Sequence, residues 1–485
     1  MKKVTFLILT VCWNYLIVVS QTNVSQGPLV DYQLKKQTEI TSFTKDNDYY
    51  FVLKYPERAQ TKFDLIVSDP KGNILQAGEI KIDLGVFNNM NEINSVVALE
   101  NKLIVLIENR NKEAGKSYLM ARTMDHNGNL DKQKTDIGVF EFKKMMNSGT
   151  WMSYVTPDKN HLVIVGQLPF EKEEPHRKFK FYFLDSDLKK LNEGAFELPG
   201  EAKRFTYVSL FASDKGDIYL IKNDNEKGAI IPIVYKASVL SPTVSEFTVS
   251  LNSPQRILNY SASLNAMGVL ELAGYYNDKS ISFGEIESKG TWIYDSKENN
   301  VKSFPFDKPI SNTMARGIVN NGNTLFLIGE QYKEDKKMVD KPGGLGLDDD
   351  YTFTHKNLLV TGFDNTNWSK KYDMVMNRNW TGYNFNQDIM PAYGVLNGKL
   401  ILIYNDQYNK YFPKVPAYSN YKLPVLVSIT NDGLMEQPIS FEKQFYITEN
   451  SFTLYPKFFN NGNQTEMAIL GGNYKGVKGV IFSIK

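Results

Sequence analysis

Cysteine is almost missing from this chain. Its 485 residues include a single one, Cys12, inside an apolar N-terminal run. The body of the chain therefore has no disulfide, no thiol nucleophile and no cysteine-based metal site. Histidine is nearly as scarce. His126, His161, His176 and His355 are the full set, and no two have the spacing of a metal pair. Neither sign of charge dominates, with 56 basic and 54 acidic residues and no basic block. That excludes the clustered positive charge on which nucleic-acid binding depends. No stretch carries the 3.6-residue apolar period of an amphipathic helix. Motifs for familiar chemistry are missing as well: there is no Gly-x-Ser-x-Gly elbow, no phosphate-binding glycine loop and no dinucleotide fingerprint. The run Gly343-Gly344-Leu345-Gly346 lacks the following Lys-Ser/Thr and a strand-to-helix setting, so it reads as a hinge.

The first 20 residues are a separate object. Lys2 and Lys3 start the chain, Val4 to Val19 is apolar apart from a few positions such as Asn14, and Val18 and Ser20 are the small residues a signal peptidase selects. This predicts a secretory signal peptide over 1–20, with Gln21 as the mature N-terminus. An uncleaved anchor is the alternative, but the run is short against the roughly 20 residues that span a bilayer. Cys12 sits mid-run rather than at its end, which argues against lipidation. Removing Lys2 and Lys3 brings the basic residues level with the 54 acidic ones. An exported chain without cysteine must be held together by its core, which suits a Gram-negative envelope: periplasmic, outer-membrane-associated or extracellular. No transmembrane segment is expected in the mature chain.

Aromatic residues are abundant, at 13% with 28 Tyr and 29 Phe. These residues fit pleated, half-buried surfaces. Runs of five to eight residues with apolar character are bounded by Asn, Asp and Gly clusters, which is the hairpin signal. The pattern recurs about eight times, and the turn between third and fourth strands returns near residues 70, 127, 186, 238, 297, 365 and 431. Four strands per unit is the grammar of a propeller blade. The last unit has only three strands before Lys485, and the lead Pro28–Leu34 offers the fourth. The predicted fold is an all-β propeller over 21–485, a single domain of eight four-stranded blades closed by N- and C-terminal strands. Seven blades is the alternative, and two tandem β-sandwiches come third.

With strands named A to D from the axis outward, antiparallel order puts the A–B and C–D turns on one face. The B–C and D–A connections fall on the other. The A–B turns are short, whereas Gln331–Lys356, Asn405–Lys422 and Met376–Met390 are long and belong to units six and seven. Loops on a rigid scaffold are where binding residues concentrate. These carry Trp380, Tyr383, Tyr408, Tyr411 and Tyr418, aromatics suited to a sugar face or a protein partner. Mutual packing of the loops over the ring is the plainer reading. Asp348, Asp349 and Asp350 form the best candidate for a hard cation such as calcium, although consecutive acids do not converge as ligand loops do. His176 and His355 are acid–base candidates by loop position alone. Fragments of sialidase-type turns (Ser213–Gly216, Gly290–Trp292) and of a quinoprotein-type turn (Asp364–Trp368) are too partial to carry either chemistry.

One run is more specific. Gly329-Glu330-Gln331-Tyr332, then Tyr351 and His355, Asn357 to Val360, Phe363-Asp364, Trp368 and Leu402 to Asp406 resembles an uncharacterised family of exported Gram-negative β-repeat proteins. The match covers about 320–410, and this chain lacks the glycine of that family's Asp–Trp turn. The resemblance implies export and a repetitive β fold and brings no activity. The expected function is a non-catalytic, monomeric propeller that binds protein or glycan at the cell envelope through the long-loop face, without a cofactor. The alternative is a polysaccharide hydrolase or lyase using Asp348–Asp350 and Asp388 as acid and base.

Overall fold

The computed structural model describes residues 22–33, 39–54, 61–82, 89–100, 102–125, 127–170, 175–199, 208–226, 229–278, 286–340, 347–378, 380–383, 390–407, 410, 422–440, 453–463, 465–473 and 476–484. They form eight antiparallel blades in a ring, a β-propeller. Blades one to seven span 39–81, 89–141, 150–199, 208–248, 256–311, 313–376 and 392–440. Among the described residues the longest helical piece is one 3₁₀ turn, Met145–Asn147, and no helix is long and apolar enough to cross a membrane.

Blade eight is built from both ends of the chain. Thr453–Asn463, Glu466–Asn473 and Gly476–Ile484 supply three strands, and Thr22–Gln26 pairs with the last of them from Thr22 opposite Ile484 to Gln26 opposite Val480. The closure is thus made six residues earlier than the sequence suggests. In 28–33, the described part of Pro28–Leu34, the strand pairing is reduced to an isolated bridge between Val30 and Val477. Pro28 has no N–H to give a ladder, and at Gly27 the chain crosses Gly72 so closely that a Cβ would lie 2.1 Å from the Gly72 oxygen. The ladder must end there.

The core is not central but distributed. Eight buried apolar clusters each join two consecutive blades, the last joining blade eight to blade one through Tyr49, Phe51, Leu53, Ala468 and Leu470. This explains why strand B reads as a continuous apolar run in the sequence, as in His161–Gln167 and Lys399–Gln407. It is sandwiched between two neighbouring sheets and buried on both faces. Strand D faces solvent and alternates, as in Ser369–Met376. The recurrent C–D turns share one device. Asp69, Asp125 and Asp185 each accept backbone N–H bonds from residues two and four further on, at 2.8–2.9 Å. A carboxylate that satisfies two turn donors fixes the turn.

Antiparallel pairing throughout keeps the B–C and D–A connections on one face. Blade six departs from the others. Its strands Thr324–Asp340 and Leu347–Asp364 continue past the blade to Asp340 opposite Leu347, so the described parts of Gln331–Lys356, 331–340 and 347–356, are paired strands of an arm rather than a loop. Trp380–Tyr383 adds a third strand to this arm, with Trp380 opposite His355 and Tyr383 opposite Thr352.

Candidate functional site

The arm leaves the blade at a double irregularity. The register slips between Glu330 and Tyr332, and in strand A between Ala315 and Gly317, which makes Arg316 a bulged residue. Bulges re-aim side chains and bend strands. Here the bulged Arg316 meets Glu330. Arg316 Nε donates to Glu330 Oε2 at 2.7 Å, and its Nη2 lies 2.7 Å from the same oxygen. His355 Nδ1 lies 2.7 Å from Oε1, and Arg378 Nη2 donates to that oxygen too. The four residues come from strands A, B and C and from the segment after strand D. Glu330, His355 and Arg378 are 3% exposed or less.

Burial by itself raises the pKa of Glu330, but the Arg378 charge, the His355 bond and the Arg316 charge outweigh it and bring it down to about 2. Burial also lowers the pKa of Arg378, against the charges of Glu330 and Asp406. The surroundings complete the node. The Arg316 guanidinium lies 4.9 Å from the Tyr332 ring, Tyr332 meets His355 edge-on at 5.1 Å, and Arg378 lies 5.8 Å from the Tyr404 ring of blade seven. Asp406, 1% exposed, is paired with Lys410 at 2.7 Å. Asn357 donates to the Gln331 side chain at 2.8 Å and accepts from Arg378 N at 3.3 Å, while Gln331 donates to Ser311 O at 2.9 Å. The carboxylate is held ionised and away from solvent by these partners. It ties strands A, B and C and the segment after strand D together at the base of the arm.

The site residues read from the sequence fall as follows. Trp380 and Tyr383 lie in the third strand of the arm, and Asp348, Asp349 and Asp350 lie in its second strand, opposite Val339, Met338 and Lys337. The structure brings these two groups onto one arm. Tyr408, Tyr411 and Tyr418 lie outside the described residues, as does Asp388. His355 is a correction to its loop assignment: it is a buried strand residue committed to Glu330. His176 opens strand C of blade three and is exposed. Among the described residues no three His, Asp or Glu side chains converge as a metal site would require. Sequence reasoning missed Arg316, Glu330 and Arg378. The available signal was a glutamate ending the otherwise apolar strand Leu325–Gly329, where a charge must find a buried partner.

Two other polar features mark the ring. In blade two, Arg110 grips Glu108 with two bonds at 2.8 and 2.9 Å and reaches Glu92 at 3.3 Å, while Ser117 donates to Glu108 at 2.8 Å. On the short-turn face, Glu271 is fully buried between blades five and six and accepts from Asn265 at 2.8 Å and Asn320 at 2.7 Å. Burial drives its pKa up to about 7, against those two hydrogen bonds. A cavity of about 770 Å³ lies against the A strands of blades one to four, lined by polar side chains such as Ser42, Asn94, Ser153 and Ser209 and by apolar ones such as Phe43, Val97, Met152 and Leu210. No carboxylate pair faces it among the described residues.

No family model and no curated protein matches the chain. Among solved structures it is similar to the WD40 domain of SCAP from fission yeast, at 10% identity and a TM-score of 0.39, covering 95% of this chain and 98% of that one. It is also similar to the β-propeller domain of the Trilobed protease from Pyrococcus furiosus, at 12% identity and a TM-score of 0.37, covering 84% and 96%. A third is a member of the DUF4221 family from Bacteroides vulgatus, at 9% identity and a TM-score of 0.34, covering 87% and 98%.

Proposed function

We propose that this protein is an exported, non-catalytic propeller that binds a protein or glycan partner at the cell envelope through the long-loop face of blades six and seven. The observation that carries the reading is the three-stranded arm. Seventeen- and eighteen-residue strands project from one blade, where the strands of the other blades are shorter. The arm's base is fixed by a buried ion node, and its third strand carries Trp380 and Tyr383. A rigidly held projection bearing aromatics lowers the ordering cost of binding. The signal peptide expected over 1–20 is the sequence feature that supports export. No cofactor is invoked. Calcium at Asp348–Asp350 is the one metal candidate, and a calcium titration followed by tryptophan fluorescence checks it.

The test is a pull-down from the source cell's envelope fraction with purified 21–485, beside the Trp380→Ala/Tyr411→Ala protein. Retention of a partner or glycan by the wild type and its loss in the variant supports the reading. A partner retained equally by both proteins overturns the assigned face, and no retained species with both proteins folded overturns binding at the envelope.

A further inference from the structure

A second feature of the long-loop face lies away from the arm and rests on none of the preceding proposal. Between blades two and three is a groove of about 690 Å³. Pockets of about 300–1,000 Å³ suit small ligands. Its wall is apolar: Phe140, Phe142, Leu168, Pro169 and Phe170. The wall is also built in advance. Asn147 donates to Phe170 O at 2.6 Å and accepts from Phe170 N at 3.3 Å, so one side chain clamps that segment. The buried Arg177 guanidinium stacks 4.4 Å from the Phe170 ring. Phe142 N donates to Gly115 O at 2.7 Å, and Leu168 N to Lys178 O at 3.0 Å.

The rim is cationic. Lys116, Lys143, Lys178 and Lys180 line the groove, with Glu141 the one acid among its described lining residues; Lys143 and Lys178 already engage other groups, which leaves Lys116 and Lys180 for a ligand. Glu141 is mostly exposed and reaches Lys116 only at 3.8 Å. Lys180 has no ion-pair partner among the described residues. Glu171, Glu173 and Glu174 follow Phe170 in the chain, outside the described residues, so the charge is tested on the lysines themselves. An apolar trough with ammonium groups at its edge is complementary to a ligand of matching polarity.

We propose that this groove binds an anionic amphiphile, an apolar chain or ring ending in a carboxylate. The body lies against Phe142, Leu168 and Phe170, and the carboxylate meets Lys116 and Lys180. The probes are octanoate, 1-octanol and acetate, titrated by calorimetry into the 21–485 protein at low salt. The expected result is one site for octanoate, no binding of acetate, and 1-octanol weaker by about tenfold. Lys116→Gln/Lys180→Gln lowers octanoate to the level of 1-octanol and leaves 1-octanol unchanged. Phe170→Ala weakens both. The lysines are partly exposed, so their variants keep the fold, which circular dichroism checks. Absence of octanoate binding to the folded wild type, equal binding of octanoate and 1-octanol, or octanoate affinity unmoved by the lysine pair overturns the proposal.

Discussion

Replacing Glu330 by Gln removes the carboxylate on which Arg316, Arg378 and His355 converge while keeping its shape. Arg378, fully buried, then loses the Glu330 carboxylate and keeps only the charge of Asp406, which Lys410 shares. Removing one partner of a buried ion pair costs about 3–5 kcal/mol. The pH dependence gives an independent figure. The carboxyl of Glu330 lies near 2 in the fold against an ordinary value of 4.5. A depressed pKa stabilises the fold fully above about pH 4.5, and the contribution is lost as pH falls toward 2. That shift is worth about 3 kcal/mol. Chemical denaturation of the wild type and Glu330→Gln, from pH 7 down to pH 2.5, should show a loss of about 3 kcal/mol at pH 7 that shrinks below pH 4.5. Limited proteolysis should cut the variant faster within 331–356, because the node anchors the arm. A loss under about 1 kcal/mol, or a difference that stays constant between pH 5 and 2.5, would refute the reasoning.

Glu271 should act with the opposite sign. Its pKa is raised, so its contribution is present below about pH 4.5 and lost as pH rises to about 7; Glu271→Gln should flatten the stability profile between pH 5 and 7 and stabilise the protein at pH 8, read by thermal melts. Asn23→Cys/Ser483→Cys places two cysteines directly opposite each other across the ring closure; the oxidised protein should melt several degrees higher, and reductant should abolish the gain. Gly329→Ala should cost about 1–3 kcal/mol in denaturation, because its Cβ would fall 1.8 Å from the Tyr275 hydroxyl of blade five. Asp125→Ala should cost about 1–2 kcal/mol, since Asn127 N and Asn129 N lose their acceptor.

Much of the architecture was legible because a propeller is a repeat of local signals. Strand and turn chemistry recurs at a fixed rhythm, and Asp69, Asp125 and Asp185 mark equivalent turns through bonds to their own neighbours in sequence. Blade count and face parity followed from that rhythm and from antiparallel order alone. The closing strand was misplaced because Pro28–Leu34 reads as a strand although Pro28 lacks an N–H, and the Gly27–Gly72 crossing, a contact between segments far apart in the chain, joins Pro28 in ending the ladder at Gln26. The arm was read as a loop for a related reason. Lys333–Asp340 is too polar to look like a strand, yet its backbone pairs with Leu347–Thr354.

The amino-acid sequence by itself determined the class of fold, the eightfold repeat and the face that carries the long connections, since these depend on residues within one hairpin of each other. The tertiary structure alone decided which charges are buried together. Arg316, Glu330, His355 and Arg378 are separated by up to 62 positions, and nothing local to any of them encodes the meeting. It arises because two bulges and a D–A connection return to one point, where a low-dielectric interior makes each charge depend on the others.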